Sequence, residues 1–111
     1  MALSMTNVLF ICSRNRRRSP TAEKIFADCA GIETASAGTS PDADERVTAD
    51  SIAWADIVFV MEQTHRRKLA AQFGKALNDK RIVCLDIPDK YAFMDPDLVQ
   101  LLTAKVSRHL R

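Results

Sequence analysis

The sequence predicts an α/β fold, a single doubly wound four-stranded parallel sheet in the order 2-1-3-4 with helices on both faces. Short apolar runs alternate with stretches of helical periodicity along the whole chain, which is the pattern of consecutive strand–helix–strand units. The first run, Asn7 to Cys12, has no polar alternation, as a strand buried on both faces requires. The length of 111 residues leaves room for one core, so residues 1–111 are read as one domain with right-handed crossovers.

Each element follows from local signals. After the Asn7–Cys12 strand, Ser19 and Pro20 supply an N-cap and a first helical residue. Ala22, Ile25, Phe26 and Cys29 then recur on one helix face and Gly31 closes it. Cys29 is read as core, because a free cysteine behaves as a small hydrophobe. Glu33 to Ser36 is a short second strand, followed by a loop from Gly38 to Glu45 rich in Gly, Ser, Pro and Asp that borders the site. Thr48 caps a short helix through Trp54, a residue read as a plug at the edge of the core. Asp56 to Met61 is the third strand, Thr64 to Phe73 a helix closed by Gly74, and Arg81 to Leu85 the fourth strand. Asp95-Pro96-Asp97 starts the last helix, whose inward face is Leu98, Leu101, Leu102 and Val106. His65 and His109, both on predicted helices beside basic residues, are read as solvated face positions.

Composition narrows the function classes. An apolar fraction of 47% with 27% charged residues is that of a globular chain. Apolar stretches such as Ile57 to Met61 are too short to span a bilayer, and Met1 to Thr6 lacks the charged and apolar regions of a signal peptide. The expected compartment is the cytoplasm. Three cysteines, an odd number at irregular spacing, make no disulfide framework. Without a Cys-x2-Cys or a paired-histidine spacing they make no zinc site either, and no metal or cofactor is expected. A net charge of +2 is too small to imply a nucleic-acid or membrane partner. The distribution says more. Arg14, Arg16, Arg17 and Arg18 crowd one short loop while Asp42, Asp44 and Glu45 make another segment acidic, so the natural partner is an anion.

That loop is the richest segment. The first strand delivers Cys12 into a cationic turn that opens a helix, where the dipole and the guanidinium groups both favour a thiolate. Backbone N–H groups of such a turn converge on an anion. In the 2-1-3-4 order Cys12 also stands at the reversal of winding between the first and third strands, where doubly wound sheets bind ligands. The Cys-x5-Arg-Ser spacing, with its preceding strand and following Ser-Pro-x-Ala-Glu, resembles the low-molecular-weight protein tyrosine phosphatases. Ser36-Ala37-Gly38-Thr39 looks like that family's second-strand ending, and Ala55 to Met61 like its third strand.

The resemblance implies roles. Cys12 falls on the family's nucleophile and Arg18 on its phosphate-binding arginine. Physically, such chemistry needs a thiolate, a cationic cradle lined by N–H groups, and an acid for the departing oxygen. Arg18 would grip two oxygens as a planar fork, while the loop Ser13, Arg14, Asn15, Arg16, Arg17 with Ser19 would line the substrate. Ser19 donates its hydroxyl to the thiolate, as the matching family residue does, or caps the helix, and the two roles can coexist. Asn15 matches the family's loop asparagine, and an asparagine tolerates the left-handed backbone that curls a loop around an anion.

Two aspartates compete for the acid. Asp95-Pro96 matches the family's Asp-Pro pair literally, though Asp95 is also a well-formed N-cap. Asp89 matches by register and is preferred, because Ile87-Pro88-Asp89-Lys90-Tyr91 resembles the family's Pro-Asp-Pro-Tyr run with Lys90 in place of proline. Tyr91 then falls where the family lines its substrate pocket with an aromatic. Three departures stand out. Arg14 replaces a usual glycine, and its Cβ is expected to strain the loop. Arg17 stands where a second, protective cysteine is common, which exposes Cys12 to over-oxidation. The segment between Gly38 and Thr48 is short, removing a helix that walls the pocket and leaving a small, open site.

Three functions follow. Metal-free hydrolysis of a phosphomonoester, foremost phosphotyrosine, through a phosphocysteine explains the most residues. Its partners would be a phosphorylated protein or a small phosphomonoester, with phosphate as product. Arsenate reduction uses the same loop in relatives but needs a closely spaced redox pair, which Cys29 and Cys84 do not form. A catalytically weak module that clamps phosphopeptide or RNA is the third, although four arginines without interleaved aromatics fall short of a nucleic-acid footprint.

Overall fold

Seven residues without a charged side chain, Thr6–Cys12, form β1 at the centre of the sheet in the computed structural model, which describes residues 5–110. Met1 to Ser4, part of the segment read for leader features, and Arg111 lie outside the described residues. The remaining strands are β2 (Ile32–Gly38), β3 (Ile57–Val60) and β4 (Arg81–Cys84), and all pair in parallel in the order β2-β1-β3-β4. The helices are α1 (Arg18–Phe26), α2 (Ala49–Trp54), α3 (Gln63–Phe73) and α4 (Pro96–Ser107), with a 3-10 turn at Gly74–Leu77. The predicted topology is the observed one.

Alternation along β1 and β3 divides the core into two layers. Val8, Phe10 and Phe59 point toward α1 and α4, where Ala22, Phe26, Leu98, Leu102 and Val106 cover them. Leu9, Ile11, Val58 and Val60 point the other way, onto Ile52 of α2 and Leu69 of α3. Phe10 stacks between Phe26 and Phe59 at centroid distances of 6.0 and 5.5 Å. Each such buried ring contributes on the order of 2–3 kcal/mol by its area alone. Trp54 packs half-buried at the edge of the second layer, as expected. Among the described residues no helix is long and apolar enough to cross a membrane.

Two local expectations fail at α1. The helix begins at Arg18 with Arg17 as N-cap, two residues earlier than Ser19 would set, and the Ser19 hydroxyl is turned to the Cys12 sulfur instead. It also ends at Phe26. The chain then turns through Cys29 N–H to Phe26 O and Ile32 N–H to Cys29 O, with Gly31 at φ +84°, so Cys29 lies exposed rather than in the core. Cys29 therefore sits at the opposite end of the sheet from Cys12, and Cys84 ends β4, two strands from β1. No described pair of thiols is placed for a redox relay.

β1 has β2 on one side and β3 on the other, so the chains leaving their carboxyl ends diverge and open a crevice next to Cys12. The pairing continues past the named strands. Met61 N–H donates to Ile11 O, Leu85 N–H to Val60 O and Ile87 N–H to Met61 O, which carries three consecutive β–α connections to one rim.

Candidate active site

Cys12, fully in the strand register opposite Gly38, ends β1 with its side chain buried at the foot of a cleft of about 500 Å³. The cleft is lined by Cys12, Ser13, Arg14, Arg16, Arg17, Arg18 and Asp89. The loop turns at Asn15, whose φ of +59° is the left-handed conformation anticipated for it. That turn brings the Asn15 amide to 3.3 Å from Cys12 Sγ. The Asn15 side chain is buried and donates to Ser19 Oγ at 3.0 Å and to Ser36 Oγ at 2.8 Å, and Ser36 in turn donates to Glu23. Ser19 Oγ lies 2.9 Å from Cys12 Sγ. Since that oxygen already receives the Asn15 amide, its own proton is available to the sulfur, where it stabilises negative charge.

Arg14 is not left-handed, so its Cβ costs the loop no backbone strain, contrary to expectation. Its side chain is exposed and 3.9 Å from Asp42, while Arg16 pairs with Asp44 at 3.1 Å. The acid partners belong to the short loop after β2, which lies along the cysteine loop. Thr39, Ser40 and Asp44 donate backbone N–H groups to the carbonyls of Cys12, Ser13 and Arg14. Contact is close enough that a Cβ on Gly38 would stand 2.4 Å from Ser13 O. The wall that a longer segment would build is thus replaced by backbone pairing and two surface ion pairs.

Arg18 is almost completely buried, and its surroundings explain how a cation survives there. Nη1 donates to Ile87 O at 2.7 Å and lies 3.0 Å from Glu62 Oε2. Those two acceptors hold one end of the guanidinium plane. Nε is 3.8 Å from Asp89 Oδ1, and among the described residues Nη2 has no hydrogen bond. The Nε–Nη2 edge is therefore the one open to a bidentate anion. Asp89 is half-exposed at the rim above it.

The other predicted site residues are placed elsewhere. Asp95 caps α4, accepting the Asp97 amide at 2.8 Å, and does not line the cleft. Tyr91 packs half-buried against the core layer under α1 and α4, with Lys90 Nζ 5.5 Å from its ring centroid, and likewise does not line the cleft. No aromatic side chain does.

Sequence reading missed two residues at the start of α3. His65 is 1% exposed, not solvated. Its Nδ1 accepts the Glu62 amide at 3.1 Å and its Nε2 is 2.9 Å from Ser13 Oγ. Burial pushes the imidazole down to about 4, with the Arg18 charge adding to the effect, so the ring is neutral around pH 7. Glu62 and His65 could have been found from topology, since the β3–α3 turn must stand beside the β1–α1 turn once β1 pairs with β3. His109, at the far end of the chain, is half-buried edge-on to Phe59 and takes no part.

No curated protein is significantly similar to the chain in sequence. A family model described as low molecular weight phosphotyrosine protein phosphatase matches residues 7–55. Among solved structures, the low molecular weight protein tyrosine phosphatase SP-PTP of Streptococcus pyogenes superposes with a TM-score of 0.78 at 18% identity, over 96% of this chain and 91% of that one. Vibrio vulnificus Wzb, solved with benzylphosphonate, gives 0.77 at 21% identity over 96% and 97%. The YwlE arginine phosphatase of Geobacillus stearothermophilus gives 0.75 at 20% identity over 95% and 92%. The sequence match spans β1, the cysteine loop, α1, β2 and α2, where the chain is similar to the low molecular weight phosphotyrosine protein phosphatases, and over its whole length the chain has the fold of the solved low molecular weight protein tyrosine phosphatases.

Proposed function

We propose that the protein hydrolyses phosphomonoesters through a phosphocysteine at Cys12, with phosphotyrosine on a protein as the leading substrate. The observation that carries this reading is one cleft holding Cys12 at its floor, the open Nε–Nη2 edge of buried Arg18 beside it, and Asp89 at its rim. The Cys12 thiolate attacks phosphorus, forming the S–P bond as the ester P–O bond breaks, and Asp89 gives its proton to the leaving oxygen. Water then attacks phosphorus, the S–P bond breaks, Asp89 takes the water proton, and phosphate leaves. Arg18 and the loop amides hold the equatorial oxygens through both steps. Ser19 and Asn15 steady the sulfur as nucleophile and leaving group. A reactive thiol of this kind suits a reducing compartment, hence the cytoplasm.

One relative by fold acts on phosphoarginine by its name and another is solved with benzylphosphonate. The absence of an aromatic from the lining means that a phosphotyrosine ring would rest on arginine side chains rather than stack on a ring. A weak anion-binding module remains the second reading, supported by the arginine-rich rim. Wild type and Cys12→Ser, assayed with chelator on p-nitrophenyl phosphate, phosphotyrosine peptide and phosphoarginine, separate these. Turnover by wild type alone, with a phosphoprotein adduct on rapid acid quench, supports the reading. No turnover by folded wild type refutes it in favour of the binding module.

A further inference from the structure

His65 is a buried, neutral imidazole one contact away from the cysteine loop, and the reaction described above makes no use of it. Its tautomer is fixed by its surroundings. Nδ1 faces the backbone N–H of Glu62, which can only donate, so Nδ1 is an acceptor and the ring proton sits on Nε2. Nε2–H therefore donates to Ser13 Oγ at 2.9 Å. An oxygen that receives a hydrogen bond there keeps its own proton for a different acceptor. Among the described residues the Ser13 hydroxyl has no other partner, and Ser13 lines the same cleft as Cys12.

We propose that His65 is a positioning residue, which fixes the Ser13 hydroxyl so that its proton points into the cleft as an additional donor to a phosphoryl oxygen. The inference rests on the phosphatase reading for its catalytic consequence, but the hydroxyl's orientation and its grip on phosphate stand without turnover. The arrangement makes α3 part of the site: the same turn supplies Glu62 to Arg18 and His65 to Ser13, so two members of the cysteine loop are set from one helix start. A polar residue after the cysteine is necessary for this, and Ser13 provides it. The charged groups facing His65 are Arg18 from α1, Glu62 and Lys68 from α3, and Asp89 from the segment after β4. Arg18 and Lys68 oppose protonation of the ring and Glu62 and Asp89 favour it, and its desolvation, the largest effect, keeps it uncharged.

The test uses the full chain as wild type, His65→Phe, His65→Gln, Ser13→Ala and His65→Phe/Ser13→Ala. Steady-state turnover of p-nitrophenyl phosphate, calorimetric titration with inorganic phosphate and the imidazole 15N shifts are read on each. The expected result is a loss of about tenfold in kcat/KM and in phosphate affinity for His65→Phe, the worth of one buried hydrogen bond. Ser13→Ala should lose the same, the double variant no more than either single, and His65→Gln, which keeps a side-chain N–H in reach of Ser13, should retain most of both. The wild-type ring should show the Nε2–H pattern at neutral pH. Additive losses in the double variant, an Nδ1–H ring, or full phosphate affinity in folded His65→Phe would each overturn the proposal. If His65→Phe does not fold, the same comparison with His65→Ala in the presence and absence of Ser13 decides it. A wild type that binds phosphate but turns nothing over defeats the phosphatase reading alone, leaving affinity and ring shifts to judge the positioning role.

Discussion

Replacing Asp89 by asparagine, beside Asp95 by alanine, separates two carboxylates that the sequence presents as rivals. Asp89 stands at the rim of the cleft, 3.8 Å from Arg18 Nε and half-exposed. Asparagine keeps its volume and removes the transferable proton, together with the charge facing Arg18 Nε. A positioned general acid contributes ~10²–10⁴-fold, and that contribution grows with the basicity of the leaving oxygen. Asp89→Asn should therefore lower kcat on phenyl phosphate by about a thousandfold but on p-nitrophenyl phosphate, whose leaving group departs without protonation, by only about tenfold. Its alkaline pH limb should flatten as well.

Asp95 works at another level of structure. Its carboxylate accepts the Asp97 amide at 2.8 Å at the start of α4, and that helix supplies Leu98, Leu102 and Val106 to the core. Loss of an N-cap acceptor costs about 1 kcal/mol of stability. For a chain of this size that lowers Tm by about 4–6 °C. Asp95→Ala should show that shift in a thermal melt while kcat on both substrates stays within about twofold of wild type. A leaving-group dependence that appears in Asp95→Ala and not in Asp89→Asn would refute the assignment of Asp89. Equal losses on both substrates for Asp89→Asn would refute its action as an acid.

Two further outcomes follow from packing and from charge. Gly38→Ala would place a Cβ 2.4 Å from Ser13 O and 2.7 Å from Ala43 Cβ, against backbone on one side and a tied loop on the other. It should cost about 1–3 kcal/mol in urea unfolding, and because the displaced atom belongs to the cysteine loop, activity should fall with it. His65 titrates in the unfolded chain near 6.5 but is held at about 4 in the fold. Between those values the unfolded chain binds a proton that the native protein does not, so stability is full above pH 6.5 and falls as pH drops toward 4. The loss attributable to this ring is on the order of 3 kcal/mol, read as the difference in unfolding free energy between wild type and His65→Gln across that range. A parallel pH dependence in the two proteins would show that His65 is not the titrating group.

The parts of the site that the sequence disclosed are those fixed by neighbours in the chain. Cys12, Asn15, Arg18 and Ser19 fall within eight residues, where strand end, left-handed turn and helix start are local events: Cys12 ends β1, Asn15 makes the turn, and Arg18 and Ser19 open α1. Even there, the Ser19 cap gave way because the helix begins at Arg18, so that Ser19 lies inside the first turn with its hydroxyl facing the sulfur and the Asn15 side chain. Cys29 was misplaced for a similar local reason: helical spacing continued on paper past Phe26, but the turn needed to enter β2 ended the helix first. His65 and Glu62 were hidden differently. Their neighbours say solvated helix, with Arg66, Arg67 and Lys68 following directly, and only the pairing of β1 with β3 puts the first turn of that helix against the cysteine loop. Asp89 was legible by register because the segment after β4 is short enough to leave it little choice of position.

Charge is the quantity for which the linear reading misleads most. Four arginines in one loop suggest a strong, uncompensated positive field, yet acids from three separate segments meet them. Asp42 and Asp44 come from the loop after β2, Glu62 from the start of α3 and Asp89 from the end of the sheet. Among the described residues only Arg17 has no such partner. The compensation is not uniform, and that difference decides what it does. The pairs at Arg14 and Arg16 are exposed and worth little, so an arriving anion can compete for those side chains at small cost. The Glu62 contact lies against a buried guanidinium, together with Ile87 O, and cannot be exchanged without stranding a charge. An incoming phosphate thus meets a fixed fork at Arg18, aimed by Glu62 and Ile87, inside a rim whose arginines are free to rearrange. Pre-organisation at the reacting atoms with adaptability around them suits the phosphoryl transfer proposed above. A module that only clamps anions would have no use for two carboxylates on its central arginine, since both lower its affinity for the ligand. Asp89 beside Nε compensates the buried guanidinium in the free protein, and in the proposed reaction the same carboxyl takes the task of acid when phosphate is bound.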